Sequence, residues 1–222
     1  MLDTLTSQQH IIKAIHKSQH CQRNWDLSRQ IPEEDLNVLV TAATQCPSKQ
    51  NIAFYKAHFI TNREVIENVH SHTKGFTTSF VPYESTTNTQ VLANLLIVFE
   101  KNDFFASLPD DIHRSDETRE YLETGKISPM AEELWKRDRE MAIGIAAGYL
   151  NLTATLLGYS TGCCACFYPP GVKEVLGLQD DPILLMGIGF KNPTLNRRVH
   201  HQDHSFVFPT KIKQKIKVNY IR

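Results

Sequence analysis

The chain has 222 residues, of which 41% are hydrophobic and 22% charged, so it can bury the core of an ordinary globular protein. Basic and acidic side chains number 24 each, a balance that argues against general binding to nucleic acid or to a membrane surface. No stretch approaches the roughly 20 continuous apolar residues of a membrane-spanning helix. The sequence shows no signal peptide, and its five cysteines suit free thiols in a reducing compartment, so we expect a cytoplasmic protein.

The hydrophobic pattern predicts helices and strands that alternate irregularly along the chain. Helices are expected at residues 8–18, 32–46, 62–71, 117–123, 130–157 and 171–178, and strands at 54–60, 91–99, 183–190 and 210–222. No repeat, low-complexity tract or linker interrupts them, so we expect residues 1–222 to form a single α+β domain. The polar stretch 102–127 is interpreted as a mobile insertion. Lysines that alternate with apolar residues in the last predicted strand would discourage edge aggregation.

The longest predicted helix is the most distinctive element. Ser128 and Pro129 form its start, with serine as the N-cap and proline at the first helical position. From Met141 onward it is apolar nearly all round, which predicts burial on every side. Gly144 and Gly148 keep one face flat, and a mid-helix glycine costs about 1 kcal/mol against alanine, so close approach of another backbone is expected to offset this cost. A lone subunit would struggle to cover such a helix, so we expect a dimer.

Four short segments occur in a characteristic order, and together they resemble the FMN-dependent nitroreductase family. These segments are residues 19–25, 47–51, 158–167 and 197–198. The resemblance covers about residues 8–200. Its most specific parts are Pro47-Ser48 followed by Asn51, the helix end from Ala146 to Gly158 with its fixed run to Phe167, and Gly187-Ile-Gly189 with basic residues downstream. Each part is weak alone, and it is their order and spacing that indicate the family.

The first segment departs from the family pattern, which reads Arg-Arg-Ser-x-Arg before an aromatic residue. Gln19, His20 and Cys21 stand where Arg-Arg-Ser is usual, while Arg23 and Trp25 match the last arginine and the aromatic residue. In the family the leading arginine holds the FMN phosphate and the serine holds the ribityl chain. The resemblance therefore implies less positive charge at the phosphate here. It places Arg23 at the N1–C2=O edge of the flavin; alternatively, Arg23 is a surface cation and Cys21 a small buried residue.

The other segments supply further cofactor contacts by the same resemblance. Pro47, Ser48 and Asn51 would reach the flavin ring from the partner subunit, although the same sequence could be a plain turn that ends a helix. The backbone N–H of Ala165 would lie near flavin N5, and Arg197 and Arg198 would clamp the phosphate, since the arginine fork suits phosphate. The remaining candidates are Cys163, Cys164 and Cys166 beside the ring, and Asn88 at the ribityl chain or ring edge, which could equally be a turn residue.

The resemblance implies a fold and a function. The fold would be an α+β intertwined homodimer whose mostly antiparallel sheet is flanked by helices, with residues 205–222 exchanged between subunits and 102–127 forming the substrate lid. The function would be ping-pong hydride transfer from NAD(P)H through FMN to an electron-poor small molecule such as a nitroaromatic, a quinone or a flavin. No side chain would be catalytic, because the cofactor carries the chemistry.

Two alternatives remain open at this point. The same family fold supports reductive dehalogenation and flavin fragmentation, and the predicted lid sequence does not distinguish these reactions. The cysteines of residues 163–166 could instead make a thiol- or metal-binding module that has lost FMN. Zinc sites combine two C-x₂-C pairs, and this chain has no second pair, so we expect no bound metal.

Overall fold

The computed structural model describes residues 6–75, 87–103, 116–201, 203–209 and 212–221. Its helices are α1 (Ser7–Ser18), α2 (Glu33–Thr44), α3 (Arg63–Ser71), α4 (Asp116–Thr124), α5 (Pro129–Leu156) and α6 (Pro169–Leu176). Its strands are β1 (Tyr55–Ile60), β2 (Leu95–Lys101), β3 (Ser160–Cys164) and β4 (Pro182–Gly189). Short 3₁₀ turns lie at Lys49–Asn51 and Thr89–Val91.

The four strands form one antiparallel sheet in the order β1-β2-β4-β3. Strand β2 lies inside the sheet, and its side chains alternate between two cores. Ile97 and Phe99 pack on the side of α2 and α5, whereas Leu96 and Val98 pack on the side of α3 and α6. Because both faces of the sheet are covered by helices, β2 is continuously apolar from Leu95 to Phe99, although the next residue, Glu100, is also buried. The predicted α+β fold with an antiparallel sheet is confirmed.

Most predicted elements are present, with shifts at their ends. The strand predicted at 91–99 begins only at Leu95, because the Asn88 side chain accepts a hydrogen bond from Gln90 N at 3.1 Å and starts the 3₁₀ turn Thr89–Val91. Helix α4 confirms the short helix predicted at 117–123. Residues 104–115 of the predicted lid lie outside the described residues. Within the single subunit, the described residues 212–221 form no strand.

Helix α5 starts as predicted but is not buried on every side in the single subunit. Ser128 Oγ accepts a hydrogen bond from Ala131 N at 3.2 Å, which caps the helix. Along its apolar half, however, Met141 is 58% exposed and Tyr149 is 48% exposed. A Cβ atom added at Gly148 would meet no described atom within 4 Å. One apolar face of α5 is therefore uncovered by the described residues of its own subunit.

Two paired glycines hold the Thr89–Val91 turn close to the sheet. Gly162 on β3 lies opposite Gly187 on β4. A Cβ atom at Gly187 would lie 2.1 Å from Gln90 O, and one at Gly162 would lie 2.7 Å from Gln22 O and 3.0 Å from Gln90 Cβ. The close approach of backbone to backbone leaves no room for a side chain at either position.

We expect Gly187→Ala to lower the free energy of unfolding by about 1–3 kcal/mol, because the new methyl group must displace a backbone carbonyl and not a flexible side chain. Urea unfolding followed by circular dichroism measures the change. Met186→Leu, on the same strand, is the control and conserves side-chain volume. A Gly187→Ala protein as stable as the parent would show that the turn can move away from the sheet without cost.

Candidate functional site

The segment after α1 runs along the outer edge of β3. Cys21 forms a parallel bridge with Thr161, and Gln22 N donates to Thr161 O at 2.7 Å. The buried Trp25 donates through Nε1 to Thr89 O at 2.8 Å. The segment is thus fastened to the sheet at one end and to the Thr89–Val91 turn at the other. The intervening Arg23 is held above this edge.

The loop after β4 lies beside this segment. Asn24 Nδ2 donates to Asn196 O at 2.7 Å and to Val199 O at 3.0 Å, and Asn24 O accepts from Asn192 N at 2.9 Å. These bonds bring Arg197 Nη2 to 3.4 Å from Nδ1 of His20. Two of the sequence segments, nearly 180 residues apart, therefore meet at one point. Gln19 does not take part in this contact, since its Nε2 donates to His16 O.

The chain beyond the arginine pair folds back as a small hairpin. Val199 pairs with Val207, and Phe208 N donates to Arg198 O at 2.7 Å. The hairpin places the Phe208 ring against Arg23, whose guanidinium carbon lies 4.9 Å from the ring centroid. Burial lowers the pKa of Arg23, and nearby Arg197 contributes in the same direction. No described carboxylate forms an ion pair with Arg23.

A pocket of about 290 Å³ opens where these elements meet. It is lined by Arg23, Lys74, Gly75, Thr87, Asn88, Thr89, Gln90, Cys166, Val199, His200, His201 and Phe208. The lining residues that the structure describes have basic or neutral side chains, and none of them is acidic. We call this space the Arg23 pocket. It brings together three of the predicted cofactor residues, namely Arg23, Asn88 and Cys166.

The side chains of residues 163–166, which we call the thiol loop, face different ways. Cys164 is buried in the core on the α3 and α6 side, where Asn88 Nδ2 donates to its Sγ at 3.1 Å, so its side chain does not line the Arg23 pocket. Burial raises the pKa of Cys163 to about 12 and that of Cys164 to about 11. Ala165 and Cys166 are exposed. The loop thus presents bare backbone and one small side chain at the Arg23 pocket.

The loop after α2 lies at a different place. Pro47, Ser48 and Asn51 line a separate pocket of about 750 Å³, together with Tyr149 of α5. Ser48 Oγ donates to Ile52 O at 2.8 Å, and Asn51 has a positive φ of 57°, which is uncommon for a residue other than glycine. None of these three residues lines the Arg23 pocket of its own subunit. Their predicted contact with a partner's flavin stays a prediction.

Among the pocket residues that were not predicted as cofactor contacts, four have basic or aromatic side chains: Lys74, His200, His201 and Phe208. Lys74 belongs to none of the sequence motifs, so nothing in the sequence indicated it as a site residue. The other three follow the arginine pair in a stretch rich in histidine and phenylalanine, an enrichment that could have directed attention to them. Their position depends on the hairpin after Arg198, a long-range feature that local patterns do not encode.

The part of the chain that the structure describes contains neither a metal-binding cluster nor a membrane-spanning helix. No three histidine, cysteine, aspartate or glutamate side chains converge there as a metal site would require. The described helices are too short or too polar to cross a membrane.

The sequence profile of the Nitroreductase family matches residues 17–190, which is most of the chain. The chain belongs to the nitroreductase family. Among curated proteins, no sequence gives a significant match.

Solved structures share the fold at low identity. A nitroreductase-family protein from Bacillus subtilis, ydfN, is 16% identical with a TM-score of 0.67, and the match covers 96% of this chain and 100% of that one. A Staphylococcus epidermidis protein bearing the name NAD(P)H:FMN oxidoreductase is 16% identical with a TM-score of 0.62 over 97% and 96% of the two chains. An Exiguobacterium sibiricum nitroreductase-family protein in complex with FMN is 18% identical, with a TM-score of 0.58 over 88% and 95%.

We expect Cys166 to be the thiol that iodoacetamide modifies first at pH 8. The thiolate is the reactive form, and burial raises the pKa of Cys163 and Cys164 far above that pH, whereas Cys166 is exposed. Timed alkylation followed by peptide mass spectrometry measures the order, and Cys166→Ser is the control that should remove the fastest site. Faster labelling of Cys163 would show that the thiol loop opens in solution.

Proposed function

We propose that this protein is a cytoplasmic FMN-dependent oxidoreductase that uses NAD(P)H to reduce an electron-poor small molecule. The observation that carries the proposal is the convergence of motif residues on one place: Arg23, Asn88 and Cys166 line one pocket, and His20 meets Arg197 nearby. The name of the Staphylococcus protein and the FMN complex from Exiguobacterium agree with it. All five cysteines are free, as suits a reducing compartment.

The described residues fit the chemistry of FMN. The flat ring needs room for close approach, and the small, exposed residues Ala165 and Cys166 provide it. The phosphate needs cations or hydrogen-bond donors, and Arg197 with His20 provides them. When bound, FMN accepts a hydride equivalent from the nicotinamide and passes it to the acceptor in a ping-pong sequence. The chain's own residues then bind and orient the cofactor and the reacting molecules and shield them from water. None of these residues needs to act as a nucleophile or a general base.

Arg23 is proposed to stabilise negative charge at the ring edge. Its guanidinium is desolvated and unpaired by any described carboxylate, and the Phe208 ring covers it. A partly buried cation without a counter-ion is a favourable neighbour for a group that becomes anionic, because fixed charge in a water-poor site requires little reorganisation. In this proposal the positive charge of the first segment, Arg23, acts at the ring end of the site. Because Gln19 is neutral, the positive charge at the phosphate end comes from Arg197 and Arg198.

The functional unit is proposed to be a homodimer. Helix α5 leaves Met141 and Tyr149 exposed, and Ser48 and Asn51 lie next to Tyr149 in the separate pocket. A second subunit packed on this face would cover the apolar side chains and bring those polar residues towards its own Arg23 pocket. The tail is 91% exposed at Ile212 and 82% at Tyr220, and it would be covered if it crossed to the partner.

The proposal is tested by flavin binding. Protein reconstituted with FMN should show flavin bands in the blue and near-UV, and it should oxidise NADH or NADPH with a nitroaromatic acceptor. The double variant Arg197→Ala/Arg198→Ala should lower the affinity for FMN by at least about tenfold and that for riboflavin by much less, because only FMN carries the phosphate dianion. Fluorescence titration gives both dissociation constants.

The matched control removes two cations far from the pocket. Lys101 and Lys173 are exposed and form only long ion pairs of 3.9 and 3.7 Å, so Lys101→Ala/Lys173→Ala should leave both affinities unchanged. Equal losses of FMN and riboflavin in the arginine variant would mean that the pair supports the fold of the loop and not the phosphate. Parent protein that binds neither flavin would overturn the proposed function.

We expect Gly148→Leu to weaken the dimer, because the new side chain would project from the flat part of α5 and overpack the interface by about 1–3 kcal/mol. Sedimentation velocity over a range of concentrations measures the association. Lys136→Leu, at an exposed position in the charged half of the same helix, is the control. A parent protein that is monomeric and fully loaded with FMN would contradict the dimer.

A further inference from the structure

Lys74 is the least explained side chain of the Arg23 pocket. Its backbone N–H donates to Cys166 O at 2.8 Å, and the preceding Thr73 pairs with Phe167 and accepts through Oγ1 from Asn88 N at 2.7 Å. The start of the Lys74 side chain is therefore fixed beside the thiol loop. Its ammonium group is exposed and forms no ion pair with a described residue.

The charge of the pocket comes from Lys74 and Arg23 and not from its histidines. Burial lowers the pKa of His200, and burial together with its histidine neighbours lowers that of His201 to about 4, so both rings are neutral near pH 7. Among the described residues that line the pocket, none is acidic, so none of them offsets the two cations. An empty pocket of this kind attracts anions, and each unpaired cation gains from a partner.

The two cations are not equivalent once FMN is considered. Arg23 is assigned to the ring edge by the proposed function and is held there by Phe208. Lys74 has no such role, because the sequence segments that match the family's flavin contacts do not include it. Its flexible stem can follow a ligand that enters after the flavin. It is therefore the cation that remains for the second molecule in the site.

We propose that Lys74 selects an electron acceptor that carries a carboxylate, and that the acceptors of this enzyme are small aromatic acids or related anions. The inference rests on the proposed function. Phe208 lines the same pocket and offers an aromatic surface suited to a single-ring acceptor. The 2′-phosphate of NADPH is an alternative anion, but it lies on the adenosine half, away from the nicotinamide that must reach the flavin.

The experiment separates charge from shape. Benzoate and benzamide, which are nearly isosteric and are not reduced, are titrated by calorimetry into the FMN-loaded parent, Lys74→Gln, Lys74→Arg and Lys173→Gln. The reducible pair 4-nitrobenzoate and 4-nitrobenzamide then gives kcat/KM for each protein, with KM for NADPH and NADH measured alongside. Flavin content is read from the absorbance spectrum. Lys173→Gln removes an equal charge from α6, outside the pocket.

In the parent, benzoate should bind and 4-nitrobenzoate should react better than the neutral amides. Lys74→Gln should reduce that preference by roughly fivefold, as for a partly exposed charged pair. Lys74→Arg should keep most of it, Lys173→Gln all of it, and added salt should weaken it. Flavin content should not change.

Three results would overturn the inference. In the first, the parent shows no preference for the acids. In the second, Lys74→Gln retains the full preference. In the third, only KM for NADPH rises, which would assign Lys74 to the nucleotide phosphate. Protein without flavin would instead overturn the proposed function, and this inference with it.

Discussion

The site depends on the absence of side chains at Gly162 and Gly187. These glycines let the backbone of Gln90 and of Gln22 lie directly against the sheet. The turn that contains Gln90 then offers the Thr89 carbonyl to Trp25, which fixes the segment carrying Arg23. If the sheet were covered by Cβ atoms here, neither the turn nor the segment could approach, and the Arg23 pocket would lose two of its walls.

Local patterns predicted most of the elements but neither strand β3 nor the places where the elements meet. Helix α5 could be predicted because Ser128 and Pro129 mark its start, and β2 because residues 95–99 are continuously apolar. The contact of His20 with Arg197 was suggested by family resemblance and not by periodicity, since nearly the whole chain separates the two residues. The hairpin that brings Phe208 to Arg23 was not predicted, because it depends on backbone pairing between Val199 and Val207.

The surroundings of two features could not be derived from the sequence, for a physical reason. A residue pattern gives the side of an element that is apolar, but it does not say what covers that side. Cys164 was expected at the cofactor, yet the pleat of β3 directs it into the core, where it packs near Val172. The apolar half of α5 was expected to be covered with the help of a partner subunit, and its own subunit leaves Met141 exposed. In both cases the missing information is a tertiary neighbour.

The single subunit therefore holds two polar regions that lie apart from each other. Cations line the Arg23 pocket and the adjoining His20–Arg197 contact, while the polar loop of Ser48 and Asn51 lies beside the exposed face of α5. A lone chain keeps these parts separate, because each belongs to a different pocket. If a second copy covers the apolar face, the hydrophobic effect that forms the dimer also delivers the polar loop to the partner. Association and assembly of the site would then be one event, with flavin affinity depending on protein concentration.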